Sequence, residues 1–184
     1  MSTEIDGAGR PAGTGRGNLD IVSDPLCPSS KLSLLAGDGA VTDRIIARHR
    51  NAKSVVLRKL AKSQDELTKR GVAGNPNTPL KVLLSLVDKF PREFLLNPAF
   101  NLMILENPGL MESFDSGTLG CIVGQLECPV SILNWAAVRW STDGRFNFDV
   151  LQSLAKNPAT PPDILEYMLG LEHSENMDGS EGWL

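Results

Sequence analysis

The sequence is poor in the residue types on which most catalytic and metal sites depend. Its 184 residues include two histidines, His49 and His173, and three cysteines, Cys27, Cys121 and Cys128. Acid–base and nucleophilic catalysis usually draw on histidine, paired carboxylates or an activated cysteine, and neither histidine has the partners of a triad. No CxxC or Cys/His pattern indicates a metal site. We therefore expect no catalytic residues, no metal, no cofactor and no small-molecule substrate.

These sparse residues are expected to have ordinary structural roles. His49 follows a basic helical segment and is expected to be a solvated turn residue. Cys121 and Cys128 are expected to be small core residues, since free cysteine packs as a small apolar side chain.

Long apolar runs are also missing. No stretch approaches the roughly 20 apolar residues of a membrane span, and the first residues lack the charged start and apolar run of a secretory leader. The odd number of cysteines does not form the dense pattern of a secreted disulfide scaffold. These absences favour a cytoplasmic protein that does not contact membranes.

The chain divides by composition into two tails and a central region. Residues 1–24 are rich in Gly, Ser and Thr and poor in large apolar residues, so we expect a disordered N-terminal tail. Residues 171–184 are acidic and are expected to be a flexible tail, although Trp183 and Leu184 form an apolar pair that could dock. Residues 25–170 are expected to form one helical repeat domain.

The central region repeats a pattern that stops and starts helices. Pro76 ends one element, Thr78 is expected to cap the next helix and Pro79 suits its first turn. Apolar residues then follow at helical spacing through residues 82–87. The same pattern returns at residues 157–161, and weaker copies begin at residues 49, 97 and 128. The unit is about two dozen residues long, which is typical of helical repeat arrays.

Each unit contains a second, shorter helix. Ser63 and Glu66 have the spacing of a capping box, and Gly74 stands where that helix would end. Alternation of apolar and polar residues, which strands require, is essentially confined to residues 145–150. We therefore expect an all-α fold in which short helices stack as a solenoid.

Residues 72–79 (VAGNPNTP) and the downstream Val82, Leu83 and Leu86, preceded by residues 57–61 (LRKLA), resemble the leucine-rich repeat variant family. The resemblance covers residues 47–90 and 150–169. It implies alternating α- and 3₁₀-helices in a right-handed superhelix similar to HEAT-like arrays. Some members carry an iron–sulfur module held by clustered cysteines, but only Cys27 precedes the repeats here, so that module is not expected.

Half of the basic residues lie in one short segment. Residues 44–70 contain nine Lys and Arg against two acidic residues, whereas residues 1–43 have a net charge of −3 and residues 71–184 one of −8. Stacked helices present extended surfaces, so the chain is expected to be an interaction module for a protein partner, one with an acidic surface if this segment is the contact. Candidate contact residues are Arg48, Arg50, Arg58, Lys59 and Lys62.

Nucleic-acid binding through the basic helices of residues 44–70 is the alternative, because aligned Lys and Arg can neutralise phosphates. No aromatic residue is interleaved with these charges, which disfavours stacking on single strands. An uncharacterised enzyme is the second alternative.

The helix expected after Cys128 supplies another candidate contact. One face of a helical wheel should be core, and it contains Val130, Ile132, Leu133, Ala136, Ala137 and Trp140. Trp135 falls off that face with Arg139 one turn later, and Trp and Arg are enriched at binding hot spots. The pair is a candidate partner-binding site. The alternative is that Trp135 packs against a neighbouring repeat.

Overall fold

The computed structural model describes residues 14–142 and 148–177, and within these ranges it contains helices and no strands. The all-α prediction is therefore confirmed. The α-helices are α1 (Thr14–Ser23), α2 (Ser29–Leu35), α3 (Ala40–Arg48), α4 (Ser54–Leu60), α5 (Glu66–Ala73), α6 (Leu80–Leu84), α7 (Pro91–Leu95), α8 (Phe100–Glu106), α9 (Ser116–Val123), α10 (Val130–Thr142), α11 (Phe148–Lys156) and α12 (Pro162–Met177).

The described residues contain one 3₁₀-helix, Met111–Ser113. The short helices of the first repeats, such as α4 and α6, are α-helices. The strict alternation of α- and 3₁₀-helices that the family resemblance implies is therefore not observed in these ranges. Residues 148–150, part of the only strand-like pattern, begin helix α11.

Helices lie at both ends of the described chain. Helix α1 lies within residues 1–24 and contacts both α2 and α3. Val22 is fully buried, and the Asn18 amide donates a 2.7 Å hydrogen bond to Asp38. Val22 and Asn18 therefore both anchor α1 in the first unit. At the other end α12 runs on to Met177, and residues 178–184, with Trp183, lie outside the described residues.

The chain divides into two compact units, Met1–Met103 and Ile104–Leu184. In the first unit α1, α3, α5 and α7 pack successively on one another, and α2, α4 and α6 each follow one of them in the chain. In the second unit α9 packs on α11, and α10 contacts α9, α11 and α12. Gly71 on α5 allows α5 to lie close against α3, since a Cβ at residue 71 would lie 3.0 Å from the Cβ of Ala47.

Three buried asparagines of the repeated sequence pattern bond to carbonyls more than 20 residues earlier in the chain. The Asn75 Nδ2 donates to the carbonyls of Ala47 (2.8 Å) and His49 (3.1 Å), and its Oδ1 accepts from the Asn77 amide (2.9 Å). Asn97 and Asn157 make the same three bonds one repeat later and in the second unit. A buried amide is tolerated only when it is fully hydrogen-bonded. These asparagines therefore both close a turn and connect adjacent repeats.

Thr78 was predicted to cap the helix that follows it, and this prediction is wrong. Its hydroxyl donates 2.7 Å to the carbonyl of Val72, near the end of α5, and Thr160 does the same to Leu154. The N-cap position of α6 is Pro79, and no side chain caps it. The buried hydroxyl thus satisfies a carbonyl of the preceding helix.

The helix start predicted at Ser63 is shifted by two residues. Asp65 is the N-cap of α5, and its carboxylate accepts from the Thr68 amide at 2.8 Å. Ser63 instead accepts from the Asp65 amide at 3.1 Å. The predicted capping box of Ser63 and Glu66 is therefore wrong, because the carboxylate of Asp65 is the better anionic cap. The predicted end of the helix at Gly74 is confirmed.

His49 is buried, so its interpretation as a solvated turn residue is wrong. The residue is 8% exposed and occupies the position that Asn75 has one repeat later. Its Nδ1 accepts from the Asn51 amide (3.0 Å), so its Nε2, 2.9 Å from the Asp24 carbonyl, carries the proton and donates. His49 therefore connects the first two repeats as the asparagines connect later ones.

Helix α10 follows most of its predicted pattern. Its buried residues include Ile132, Leu133, Ala136 and Ala137, as predicted. The core assignment of Val130 is wrong, because this first residue of the helix is 48% exposed. The side chain of Trp140 lies outside the described residues.

The two later cysteines lie in different surroundings. Cys121 is exposed, so its core assignment is wrong, whereas Cys128 is buried and confirms the expectation. Burial raises the pKa of the Cys128 thiol to about 12.

Candidate functional site

An open groove of about 720 Å³ lies in the first unit, between α4 and α6. The residues that line it are Arg58, Lys59, Ala61, Lys62, Pro79, Lys81, Val82 and Ser85. Half of these lining residues are basic and none is acidic. The four cationic side chains are exposed, whereas the three apolar residues are half-buried. The groove therefore combines an apolar base with a cationic rim.

The helical period explains why the basic residues face outward. Val56, Leu57 and Leu60 bury one side of α4, which leaves Arg58 and Lys59 on the opposite side. In α6 the corresponding anchor is Leu83, 1% exposed, and Lys81 lies on the exposed side. The core contacts of two successive repeats thus fix the two walls.

Three of the nine basic residues in 44–70 are neutralised by carboxylates of the same unit. Arg44 pairs with Asp65, Lys69 with Glu66, and Arg70 with Glu93 at 3.0 Å. The Arg44 hydrogen bond, followed by that of Thr68, lowers the pKa of Asp65 well below its usual range. Part of the basic segment therefore has an internal, structural role.

The groove cations differ from those pairs. Arg58, Lys62 and Lys81 form no ion pair with any residue in the described part of the chain. Three cations on one groove with no carboxylate in its lining produce a local positive potential, although the chain has a net charge of −4. An anionic ligand therefore meets no competing carboxylate in the lining.

Lys59 is engaged within the fold. Its Nζ donates to the carbonyl of Ala36, the C-cap residue of α2. Gly37 follows with φ +97°, and a Cβ there would lie 3.0 Å from the Lys59 Nζ. Lys59 therefore closes the junction between α2 and α4 and is a structural member of the groove lining.

Only some of the sequence-predicted contact residues meet at the groove. Arg58, Lys59 and Lys62 line it, whereas Arg48 and Arg50 are exposed at the end of α3 and in the following turn and are not part of the lining. In the second unit Trp135 is half-buried and Arg139 is exposed, both on α10.

Lys81 is not apparent as a contact residue from the charge distribution, because it lies in residues 71–184, which have a net negative charge. The sequence repeat could have indicated this residue, since a shift of 26 residues aligns α6, which contains Lys81, with the basic helix α4.

No group of three or more His, Cys, Asp or Glu residues suited to hold a metal ion occurs in the described ranges. Within the same residues, no helix combines the length and apolar character needed to cross a membrane. Comparison with protein-family models, curated proteins and solved structures found no match.

Proposed function

We propose that this chain is a non-catalytic interaction module whose basic groove binds an acidic segment of a partner protein. In the same proposal the repeats stack as a right-handed superhelical solenoid, as in the leucine-rich repeat variant family, and the protein acts in the cytoplasm. Arg58, Lys62 and Lys81 are the contact residues. The observation that carries the proposal is the convergence of these unpaired cations on one groove with an apolar base.

Two properties of the lining favour a protein partner. Ala61, Pro79 and Val82 provide apolar surface whose burial favours binding. The cations around them select carboxylates, and complementary charge accelerates association with the correct partner. An acidic segment that also contains apolar side chains satisfies both.

Nucleic acid is the second candidate, favoured by the same cations, since phosphates bind Lys and Arg clusters. The lining contains no aromatic residue on which a base could stack. Binding through phosphates alone would leave the apolar base of the groove without a partner. We therefore rank nucleic acid behind an acidic protein.

Affinity capture from native lysate, with and without nuclease, separates the two candidates. We expect to capture a protein that is retained after nuclease treatment and whose binding weakens as the salt concentration rises. Replacing Arg58, Lys62 and Lys81 together by Glu should abolish its capture. Lys59 is left unchanged because it supports the fold.

A matched control has the same change of charge outside the groove. Lys31, Arg50 and Lys53 are exposed in the same unit and do not line the groove. Their replacement by Glu should leave capture unaltered. Recovery of nucleic acid, or equal loss with both triple variants, would contradict the proposal.

A further inference from the structure

The groove lies between α4 and α6, whereas Lys59 of α4 bridges the preceding pair of helices, α2 and α4. The pairs α2–α4 and α4–α6 are related by the repeat, because the N-cap residues Pro28, Lys53 and Pro79 occupy equivalent positions. The buried residues Leu32, Leu57 and Leu83 confirm the alignment, which shifts by 25 and then 26 residues.

The residue that reaches toward the end of the preceding helix differs between the two junctions. Lys59 of α4 reaches across to the carbonyl of Ala36, at the end of α2. The equivalent residue of the next repeat is Ser85, and the equivalent carbonyl is that of Ala61, the C-cap of α4. The Ser85 hydroxyl turns back and donates to Val82 of its own helix at 2.7 Å. Both Ala61 and Ser85 consequently line the groove.

We infer that the short side chain at Ser85 determines the specificity of this groove, where the place left empty by the missing lysine admits an aliphatic side chain of an acidic peptide. The inference rests on the function proposed above and names its ligand chemistry. The lining offers Ala61, Pro79 and Val82 to an aliphatic group and no aromatic ring to a base. Carboxylates on either side of that group would pair with Arg58, Lys62 and Lys81.

The size of the groove agrees with such a ligand. Its volume of about 720 Å³ falls within the range of roughly 300–1,000 Å³ that is typical of ligand pockets. A lysine at residue 85 would run through this space toward the Ala61 carbonyl, as Lys59 runs toward that of Ala36. It would occupy the space beside Ala61 and also add a positive charge.

Ser85→Lys therefore separates shape from charge. The probe is a fluorescein-labelled peptide with one leucine between pairs of glutamates, titrated into the full chain by fluorescence anisotropy. We expect Ser85→Lys to weaken its binding at least about tenfold, although the added charge alone would strengthen it. Ser85→Ala keeps the space open and should bind as the parent does. Far-UV circular dichroism and the melting temperature verify that both variants fold.

Three further probes make the possible failures distinguishable. A peptide with alanine in place of leucine should bind more weakly than the leucine peptide, and a peptide with glutamines in place of glutamates should not bind. A short single-stranded oligodeoxynucleotide should bind more weakly than the leucine peptide and should bind Ser85→Lys better than the parent.

Tighter binding of the leucine peptide to Ser85→Lys, or equal binding of the leucine and alanine peptides, overturns the role of Ser85 and leaves the basic groove as a site for acidic partners. If the oligodeoxynucleotide binds and neither acidic peptide does, the proposed function is overturned as well.

Discussion

Replacement of the buried Asn75 by alanine tests how the repeats are held together. The change removes the two hydrogen bonds to the carbonyls of Ala47 and His49 and the one accepted from Asn77. A buried hydrogen bond contributes about 0.5–1.5 kcal/mol net, so Asn75→Ala should lower the free energy of unfolding by about 2–4 kcal/mol. The side chain is only 2% exposed, so water cannot readily replace these bonds.

Urea denaturation followed by far-UV circular dichroism measures this loss. Asn101 is an exposed asparagine on α8, and Asn101→Ala serves as the matched control, with a change within about 0.5 kcal/mol. Asn75→Asp should destabilise at least as much as alanine at neutral pH, because a carboxylate oxygen would then face two carbonyls. A parent-like stability of Asn75→Ala would refute the linking role of the asparagines.

Three other predictions concern the core, an acidic cap and the cysteines. Leu83→Ala should cost about 2–5 kcal/mol in urea denaturation, since the side chain is buried, and a negligible loss would contradict the repeat alignment. The hydrogen bond from Arg44 is the main cause of the lowered pKa of Asp65. The ionised Asp65 therefore stabilises the fold above the ordinary aspartate pKa of about 3.9, and this stabilisation is lost as the pH falls below that value. The urea midpoints of the parent and Asp65→Asn should accordingly converge on acidification, and a gap independent of pH would count against this. Iodoacetamide at pH 8 should modify the exposed Cys121 rapidly and spare the buried Cys128 until unfolding, as peptide mapping would establish; equal rates would be inconsistent with the fold.

The helical content could be predicted from the sequence because its signals are local. Pro79 and the apolar spacing that follows it define α6 within a few residues. The burial of Leu83 follows from the same spacing. Each of these inferences needs only neighbours within one or two helical turns.

The roles of Asn75 and His49 could not be predicted in this way, because their hydrogen-bond partners lie 25 to 28 residues earlier in the chain. Local reasoning sees a polar residue beside a turn and places it in solvent. The cap of α5 was missed for another reason, since Ser63 and Asp65 are both good caps and only the geometry decides between them.

The groove was predicted in part. Its α4 wall follows from the cluster of basic residues, but Lys81 and Ser85 belong to a segment of opposite net charge. Their importance depends on which residues of α4 they face, and that depends on the packing of two repeats.

Hydrogen–deuterium exchange of the full chain, with and without the partner recovered by affinity capture, tests the central claim most directly. If the partner occupies the basic groove, exchange should slow in residues 54–62 and 79–85, which contain every lining residue. Residues 40–53, which contain Arg48 and Arg50, should exchange as in the free protein. Protection confined to other segments, or none in either wall of the groove, would contradict the account.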